Sequence, residues 1–197
     1  LQEWDWKDVN LSKESQGVRP HLKTDSIQYN VIQTLVRQDY DIVYDDDNAG
    51  EIADVITLKL VENEIHVELY HLKFAHEGKI TSQIVNFYEV CGQAQKSANW
   101  KYKEPEEILN HLLRREVKKN NNGDECSRIY KGTHDKLVEL MKLAKRKLPV
   151  KYSVFIVQPG VSKDTASDEI LSLLGVTESF LKDRTGIELK VIVNKRD

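Results

Sequence analysis

EIADVITLKLVENEIHVELYHLKFA, residues 51–75, is the stretch of sequence that decides the fold. Two runs rich in apolar and β-branched residues, 51–61 and 64–75, flank a polar break at Glu62-Asn63-Glu64. Such a pattern predicts two antiparallel strands joined by a tight turn. We therefore expect a β-hairpin here.

Each predicted strand has one mainly apolar face, because side chains alternate between the two faces of a strand. A tip at 62–63 places Asp54 opposite His71, whereas a tip at 63–64 places it opposite Lys73. An acid, an imidazole and an amine would then meet at the end of an apolar face, which is costly unless they are paired or bind a metal. The two faces contain Ile52, Asp54, Ile56, Leu58 and Leu60 on the first strand, and Ile65, Val67, Leu69, His71 and Lys73 on the second.

Two other interpretations of these residues stay open. Asp54 and Lys73 can form a structural ion pair at the rim of the core, since such pairs also perturb pKa values without catalysis. A tip of three residues would turn Asp54 to the other face, because a one-residue slip in register inverts the side chains. Glu68 would then be the acid to consider.

The composition favours one globular domain with a substantial core, since 40% of the 197 residues are hydrophobic. The net charge of −3 argues against a generally basic nucleic-acid binder, but 29 Lys and Arg residues leave room for a local basic groove. Cys91 and Cys126 are far apart and lack metal-site spacing, so we expect a reduced, cytoplasmic protein. No apolar run has the length of a membrane helix.

The order of the predicted elements indicates an α/β sandwich with a mixed sheet, formed by residues 24–197. Residues 1–23 lack a clear period, and we expect an extension or a linker from an upstream domain there. An N-cap at Thr24 or Asp25 begins the first helix, and Pro159-Gly160 ends a strong apolar strand. The other predicted elements are strands at 40–44, 150–158 and 187–193, helices at 81–97, 105–119 and 134–147, and one or two helices over 167–184.

This order, with an Asp on one strand and a Lys near the end of the next, resembles the core of the PD-(D/E)XK nuclease superfamily. The superfamily motif is an Asp followed, on the next strand, by an acidic residue two positions before a Lys. Asp54 and Lys73 match it, and His71 stands where the acid is expected. The resemblance implies a restriction-endonuclease-like mixed sheet flanked by helices, with Mg²⁺ or Mn²⁺ held by Asp54 and His71. Histidine nitrogen suits Mn²⁺ better than Mg²⁺.

Several blocks of the chain resemble, more closely, a nuclease-like domain at the C-terminal end of bacterial DEAD/DEAH-type helicases linked to restriction and phage defence. They are residues 39–54, GluLeuTyrHisLeuLys at 68–73, TyrGluValCysGlyGlnAlaGlnLysSer at 88–97, TrpAspTrp at 4–6 and ValGlnProGly at 157–160. This resemblance covers most of the chain and implies an upstream helicase or translocase. We expect Leu1, which is not a Met, to lie inside a longer polypeptide.

The predicted helix at 81–97 carries Glu89, Gln93 and Lys96 on one face beside its apolar stripe. Gln93, Gln95 and Lys96 match the superfamily helix that brings a Gln or a Lys beside the scissile phosphate. The resemblance therefore implies a role for at least one of the two glutamines. An ordinary solvated helix face is the alternative.

Other charged residues are candidates for weaker roles. Asp45-Asp46-Asp47 lacks the alternating ligands and the distal Glu of a calcium loop, and we interpret it as a turn. Glu51 is a candidate outer metal ligand, and the first helix offers only Gln28 or Gln33 where many superfamily members carry a Glu. For Lys118 and Lys119, a favourable interaction with the dipole at the end of the helix explains the positive charge as well as a phosphate contact does. The candidate phosphate contacts are Lys96, Lys101, Lys103, Arg114, Arg115, Lys118 and Lys119.

We therefore expect a metal-dependent DNA endonuclease domain attached to a helicase. Its candidate catalytic residues are Asp54, His71, Lys73, Gln93 and Gln95. The alternative is a nuclease-fold module that binds DNA or a protein partner without cleaving, because His71 replaces an acid. Cleavage of RNA by the same metal chemistry is a third interpretation.

Overall fold

The computed structural model describes residues 1–117 and 122–195. Within these ranges seven strands form one mixed sheet, flanked by five α-helices. The strands are β1 (Gln2–Trp4), β2 (Ile42–Asp45), β3 (Val55–Val61), β4 (Glu64–Leu72), β5 (Ile129–Lys131), β6 (Val150–Ser162) and β7 (Glu188–Asn194). The helices are α1 (Ile27–Val36), α2 (Val85–Lys96), α3 (Pro105–Arg115), α4 (His134–Lys145) and α5 (Asp168–Thr185), with 3₁₀ turns at His76–Gly78 and Ser97–Tyr102.

The sheet has a parallel half and an antiparallel half. Its strand order is β1-β7-β6-β4-β3-β2-β5. The pairs from β1 to β4 are parallel, and the pairs from β4 to β5 are antiparallel. Helices α2, α3, α4 and α5 pack on one face, whereas α1 and Trp6 pack on the other. The prediction of an α/β fold with a mixed sheet is confirmed.

The β3–β4 hairpin adopts the first of the three registers that the sequence leaves open. Val61 pairs with Glu64, so the tip lies at 62–63. The same register places Asp54, the residue before β3, level with His71. The antiparallel hairpin is confirmed, and the three-residue tip is excluded.

β4 lies in the interior of the sheet, between β3 and β6. Its side chains are therefore buried on both faces: Val67 and Leu69 enter one core, and Tyr70 and Leu72 enter the other. β3 begins at Val55, later than the predicted residue 51, and a loop connects β2 to it. This loop and the end of β4 carry the polar groups described below.

Residues 1–23, expected to be an extension or a linker, pack onto the sheet. β1 pairs in parallel with β7 at the edge of the sheet. Trp6 is buried in the core beneath α1, and its indole N–H donates to the carbonyl oxygen of Val193 at 3.3 Å. The segment continues to Glu14, which contacts Lys73 just beyond β4.

Other predicted boundaries are wrong as well, among them the start of α2, which is Val85 and not residue 81. Ser26, in place of Thr24 or Asp25, caps α1, because its hydroxyl accepts a backbone N–H from the first turn. β6 does not end at Pro159-Gly160 but continues to Ser162, with a shift of register against β7 that accommodates the proline.

The helices agree more closely with the periodic pattern of the sequence. α3 ends at Arg115, earlier than the predicted Lys119, because the backbone is already extended at Glu116; Lys118 and Lys119 themselves lie outside the described residues. Among the helices of the described residues, none has the length and apolar character needed to cross a membrane.

Candidate active site

Three carboxylates converge where the chain enters β3. Oxygen atoms of Asp47, Glu51 and Asp54 lie within 4.8 Å of one another, and we call these residues the carboxylate cluster. Oδ2 of Asp54 accepts the backbone N–H of Leu72 at 2.9 Å. This hydrogen bond ties the loop before β3 to the end of β4.

The carboxylate cluster brings several negative charges together in a partly buried place. Burial raises the pKa of Asp54 well above its ordinary value; the Leu72 N–H opposes this shift, and Glu51, Glu14 and Asp47 add to it. Burial, followed by the charge of Asp47, also raises the pKa of Glu51. A cation would relieve this repulsion, and carboxylate oxygens are the ligands that Mg²⁺ and Mn²⁺ prefer. The donor set therefore fits a hard divalent ion.

Arg115 holds the loop that carries the cluster. Its Nε lies 2.6 Å from Oδ1 of Asp46. Its terminal nitrogens donate to the carbonyl oxygens of Ala49, Asp46 and Asp47 at 2.8, 2.9 and 3.0 Å. The guanidinium is thus bound within the protein, and we leave Arg115 out of the DNA contacts proposed below.

The residues of the acidic run Asp45-Asp46-Asp47 differ in role: some hold the loop in place, and one belongs to the carboxylate cluster. Asp45 accepts hydrogen bonds from Gln16 at 2.8 Å and from Gln28 at 3.0 Å. Gln28, on α1, also donates to the carbonyl oxygen of Asp54 at 3.3 Å. Asp45 therefore anchors the loop from the α1 side, and Asp47 joins the carboxylate cluster.

Lys73 lies just beyond β4, between two carboxylates. Its Nζ is 2.8 Å from Oε2 of Glu89 on α2 and 3.5 Å from Oε2 of Glu14. Burial lowers the pKa of Lys73, but the hydrogen bonds and charges of Glu89 and Glu14 outweigh it, and the net shift is upward. In the described part of the chain Lys73 therefore pairs with Glu14 and Glu89, in place of the Asp54 pair considered from the sequence.

Glu14 is itself held in place at this position. Its Oε2 accepts the backbone N–H of Phe74 at 2.8 Å. Burial raises the pKa of Glu14, whereas the Phe74 N–H and Lys73 lower it. The N-terminal segment thus supplies a partly buried acid that lies within electrostatic reach of both Lys73 and Asp54.

His71 is buried at the end of β4. Its Nε2 lies 2.8 Å from Oγ of Ser97. Burial, together with the positive charge of Lys96, lowers the pKa of His71 to about 4, so the imidazole is neutral at neutral pH. Asp54 belongs to the carboxylate cluster and His71 does not. The ligand role of His71 stays a prediction.

A cavity of about 460 Å³ lies beside the cluster, which contributes Glu51 to its wall. Within the described residues, Oε1 of Gln93 is buried and has no hydrogen-bond partner. Gln95 instead donates from Nε2 to Oγ1 of Thr177 on α5 at 3.3 Å. Of the two candidate glutamines, Gln93 therefore faces the site. The cavity is lined by Glu51, Ile52, His71, Gln93, Lys96, Ser97, Asn99, Trp100 and Lys103.

Basic side chains lie at the mouth of this cavity. Lys96 and Lys103 line it and are exposed to solvent. Nζ of Lys103 lies 3.9 Å from the centroid of the Trp100 ring. Lys101 and Arg114 are exposed as well. These side chains are accessible to a polyanion.

Glu68, the reserve acid of the hairpin, lies on the opposite face of β4 from His71. Its Oε2 accepts hydrogen bonds from the hydroxyls of Tyr40 and Tyr70 at 2.6 Å and of Thr57 at 3.2 Å. These donors match the negative charge of the carboxylate. Glu68 therefore has the environment of a structural acid.

The sequence alone does not indicate Glu14 or Asp47 as site residues. Glu14 comes from a segment without a period and meets Lys73 only through the folding of the chain. Asp47 has two acidic neighbours, and no spacing rule distinguishes it from them. Glu89 has a local signal, because it shares a helix face with Gln93.

Comparison with known proteins finds no match: no family model, no curated protein and no solved structure matches this chain.

Proposed function

We propose that this chain is a metal-dependent DNA endonuclease domain of the PD-(D/E)XK kind. The observation that best supports the proposal is the carboxylate cluster before β3, beside a cavity that Glu51 and Gln93 line. Lys73 lies just beyond β4 and pairs with Glu14, whose charge also acts on Asp54. Clustered acids that can hold a cation, a fixed ammonium and an amide with an unused acceptor are groups that can bind and hydrolyse a phosphodiester.

The carboxylate cluster would hold Mg²⁺ or Mn²⁺. When bound, such an ion lowers the pKa of a water molecule and polarises a phosphoryl oxygen. The protein positions the cluster from three directions: Leu72 binds the Asp54 carboxylate, Arg115 binds the loop carbonyls, and Gln28 binds the Asp54 carbonyl. Such support from neighbouring groups keeps the ligands in place before the ion arrives.

Lys73 supplies the fixed positive charge. A phosphate oxygen competes with Glu14 and Glu89 for its ammonium, which then stabilises the negative charge that develops in the transition state. Gln93 orients the substrate from the side of the cavity, because its amide is available there. Gln95, bonded to Thr177, has no part in this arrangement.

The proposed phosphate contacts are Lys96, Lys101 and Arg114, because all three are exposed. Such contacts release counterions, so the affinity for DNA should fall steeply as the salt concentration rises. A cytoplasmic location and attachment to a helicase in a restriction or defence protein are part of the same proposal. The attachment derives from the resemblance of the sequence, and the location derives from the spacing of Cys91 and Cys126.

Cleavage of DNA with Mg²⁺ or Mn²⁺, in the presence and absence of EDTA, tests the proposal. We expect EDTA to stop cleavage and Lys73→Ala to lower its rate by about 10²–10³-fold. Lys59→Ala is the matched control. Lys59 is on β3 of the same hairpin, but it pairs with the exposed Asp39. A rate unchanged by EDTA, or by Lys73→Ala, would contradict the mechanism.

The alternative is a nuclease-fold module that binds DNA without cleaving it. The observation in its favour is that Lys73 is held by two carboxylates while a neutral His71 occupies the acidic position of the motif. His71→Glu, which restores the motif, distinguishes the two. Salt-dependent DNA binding without cleavage in both the wild type and His71→Glu would favour the alternative.

A further inference from the structure

The cavity beside the carboxylate cluster is larger than a phosphate contact requires. Its volume of about 460 Å³ lies within the range of about 300–1,000 Å³ that is typical of pockets for small organic ligands. Its wall combines an apolar side chain, an indole ring, two amides and two lysines with the carboxylate of Glu51, the imidazole of His71 and the hydroxyl of Ser97. A ligand that matches this wall has a flat ring, hydrogen-bonding edges and negative charge.

Trp100 offers the ring face that such a ligand would use. The ring packs against the core on one side and lines the cavity on another. Lys103 lies over it, with Nζ 3.9 Å from the ring centroid. An exposed cation–π contact is weak compared with stacking of a base on an aromatic ring. A base can therefore displace Lys103 from the ring toward a phosphate.

Gln93 offers a hydrogen bond that the protein itself leaves unused. Its Oε1 is buried and has no partner within residues 1–117 and 122–195. A buried acceptor without a donor is unfavourable, and a ligand N–H in the cavity would satisfy it. The exposed edges of an unpaired base carry such donors.

We propose that this cavity receives an unpaired base of the DNA strand that is cleaved, so that the substrate is single-stranded or frayed DNA. The base stacks on Trp100 and donates to Gln93, while Lys96 and Lys103 bind flanking phosphates at the rim. A base inside a duplex cannot enter, because it is stacked and its edge is paired. This inference rests on the proposed function, since it places the base next to the carboxylate cluster.

The test is equilibrium binding, in EDTA, of a short single-stranded DNA, a blunt duplex of the same sequence and the matching single-stranded RNA. We expect the wild type to bind single-stranded DNA most tightly. Trp100→Leu, which keeps an apolar side chain against the core, should weaken single-strand binding by about tenfold or more. Tyr88→Leu is the control, because Tyr88 is an exposed aromatic residue on α2 outside the cavity.

A second matched pair lies on the same helix. Gln93→Leu should weaken binding of the single strand, whereas Gln95→Leu should not, because Gln95 is bonded to Thr177. Thermal unfolding shows whether each variant is folded. Equal losses in all four variants, tighter binding of the duplex, or tighter binding of the RNA would overturn the inference.

Binding in EDTA separates this inference from the proposed function. A single-strand preference that Trp100→Leu removes, in a protein that never cleaves DNA, would support the cavity assignment and contradict the nuclease. Metal-dependent cleavage by a protein that binds duplex and single strand equally, with no effect of Trp100→Leu, would support the nuclease and overturn the cavity assignment.

Discussion

Glu68 and Asp54 are acids of the same β-hairpin, yet their surroundings are opposite. Glu68 accepts hydrogen bonds from three hydroxyl groups on one side of the sheet. Asp54 accepts a backbone N–H from Leu72, and its charged neighbours are other carboxylates. One acid is matched by donors, and the other faces like charges.

This difference separates a structural acid from a candidate site. Burial and the hydrogen bond to Glu68 raise the pKa of Tyr40 to about 12, so its hydroxyl keeps its proton and continues to donate. The carboxylate of Glu68 therefore has its hydrogen-bond donors within the protein and needs no ligand. In the carboxylate cluster the charged neighbours of Asp54 are themselves acids, and we propose that a cation balances their charge. Burial alone therefore does not make a carboxylate a candidate for function, whereas burial among other carboxylates does.

The largest expected effect is on cleavage. Asp54→Asn removes a charge from the proposed metal site but keeps an acceptor for the Leu72 N–H, and we expect the rate to fall at least about 100-fold. Glu68→Gln makes the same change on the other face of the hairpin and should leave the rate per folded molecule unchanged. A gel assay of both variants with Mn²⁺ checks this. Equal losses would remove the distinction between the two acids.

The next effect is stabilisation by metal. A cation that binds only the folded protein adds about 2.7 kcal/mol to the free energy of unfolding at a concentration of about 100 times its Kd. We expect this gain in the wild type and in Glu68→Gln, and little or none in Asp54→Asn. Thermal unfolding with Mg²⁺ and with EDTA measures it. The same gain in Asp54→Asn would place the ion elsewhere.

Without metal, the two acids should affect stability in opposite directions. Glu68→Gln turns charge-assisted hydrogen bonds into neutral ones and should lower the free energy of unfolding by about 1–3 kcal/mol. Asp54→Asn removes repulsion within the carboxylate cluster and should raise it. Urea unfolding in EDTA at neutral pH gives both values. Destabilisation of similar size in both variants would show that Asp54 is also a structural acid.

The smallest expected effect is the change in the free energy of unfolding, per pH unit, that His71 causes. Its pKa is lowered from 6.5 to about 4, so the folded protein binds this proton less readily than the unfolded chain. The stability contribution of neutral His71 is complete above the unfolded pKa and is lost as the pH falls toward 4, by at most about 1.4 kcal/mol per pH unit.

The control for this pH dependence is His71→Gln, which keeps a hydrogen-bonding group near Ser97 and has no charge to gain. Its stability should change less than that of the wild type across the same pH interval. Asp54 and Glu51 act in the opposite direction, because their raised pKa values favour the folded state as the pH falls. The difference between the two proteins therefore isolates His71, and parallel curves would contradict the assignment.

The sequence by itself determined the hairpin and most of the helices. A period of two and a polar tip are local properties, so they predicted the hairpin. They left its register open, and the structure decided that the tip lies at 62–63 and that Asp54 is level with His71. Apolar residues at helical spacing determined α2, α4 and α5 in the same way. The short edge strands β1 and β5 escaped prediction, because three residues are too few to show a period.

Only the tertiary structure decided which charges belong to the site. Glu14 reaches Lys73 because the N-terminal segment packs against the end of β4, a contact that no local pattern encodes. The same applies to Arg115, which is adjacent to the exposed Arg114 in sequence but is bound to the loop before β3. Gln93 and Gln95 point in different directions from one helix, and the position of α5 decides which of them faces the cavity. The physical reason is that long-range contacts depend on how the layers pack, whereas the sequence pattern specifies only each layer.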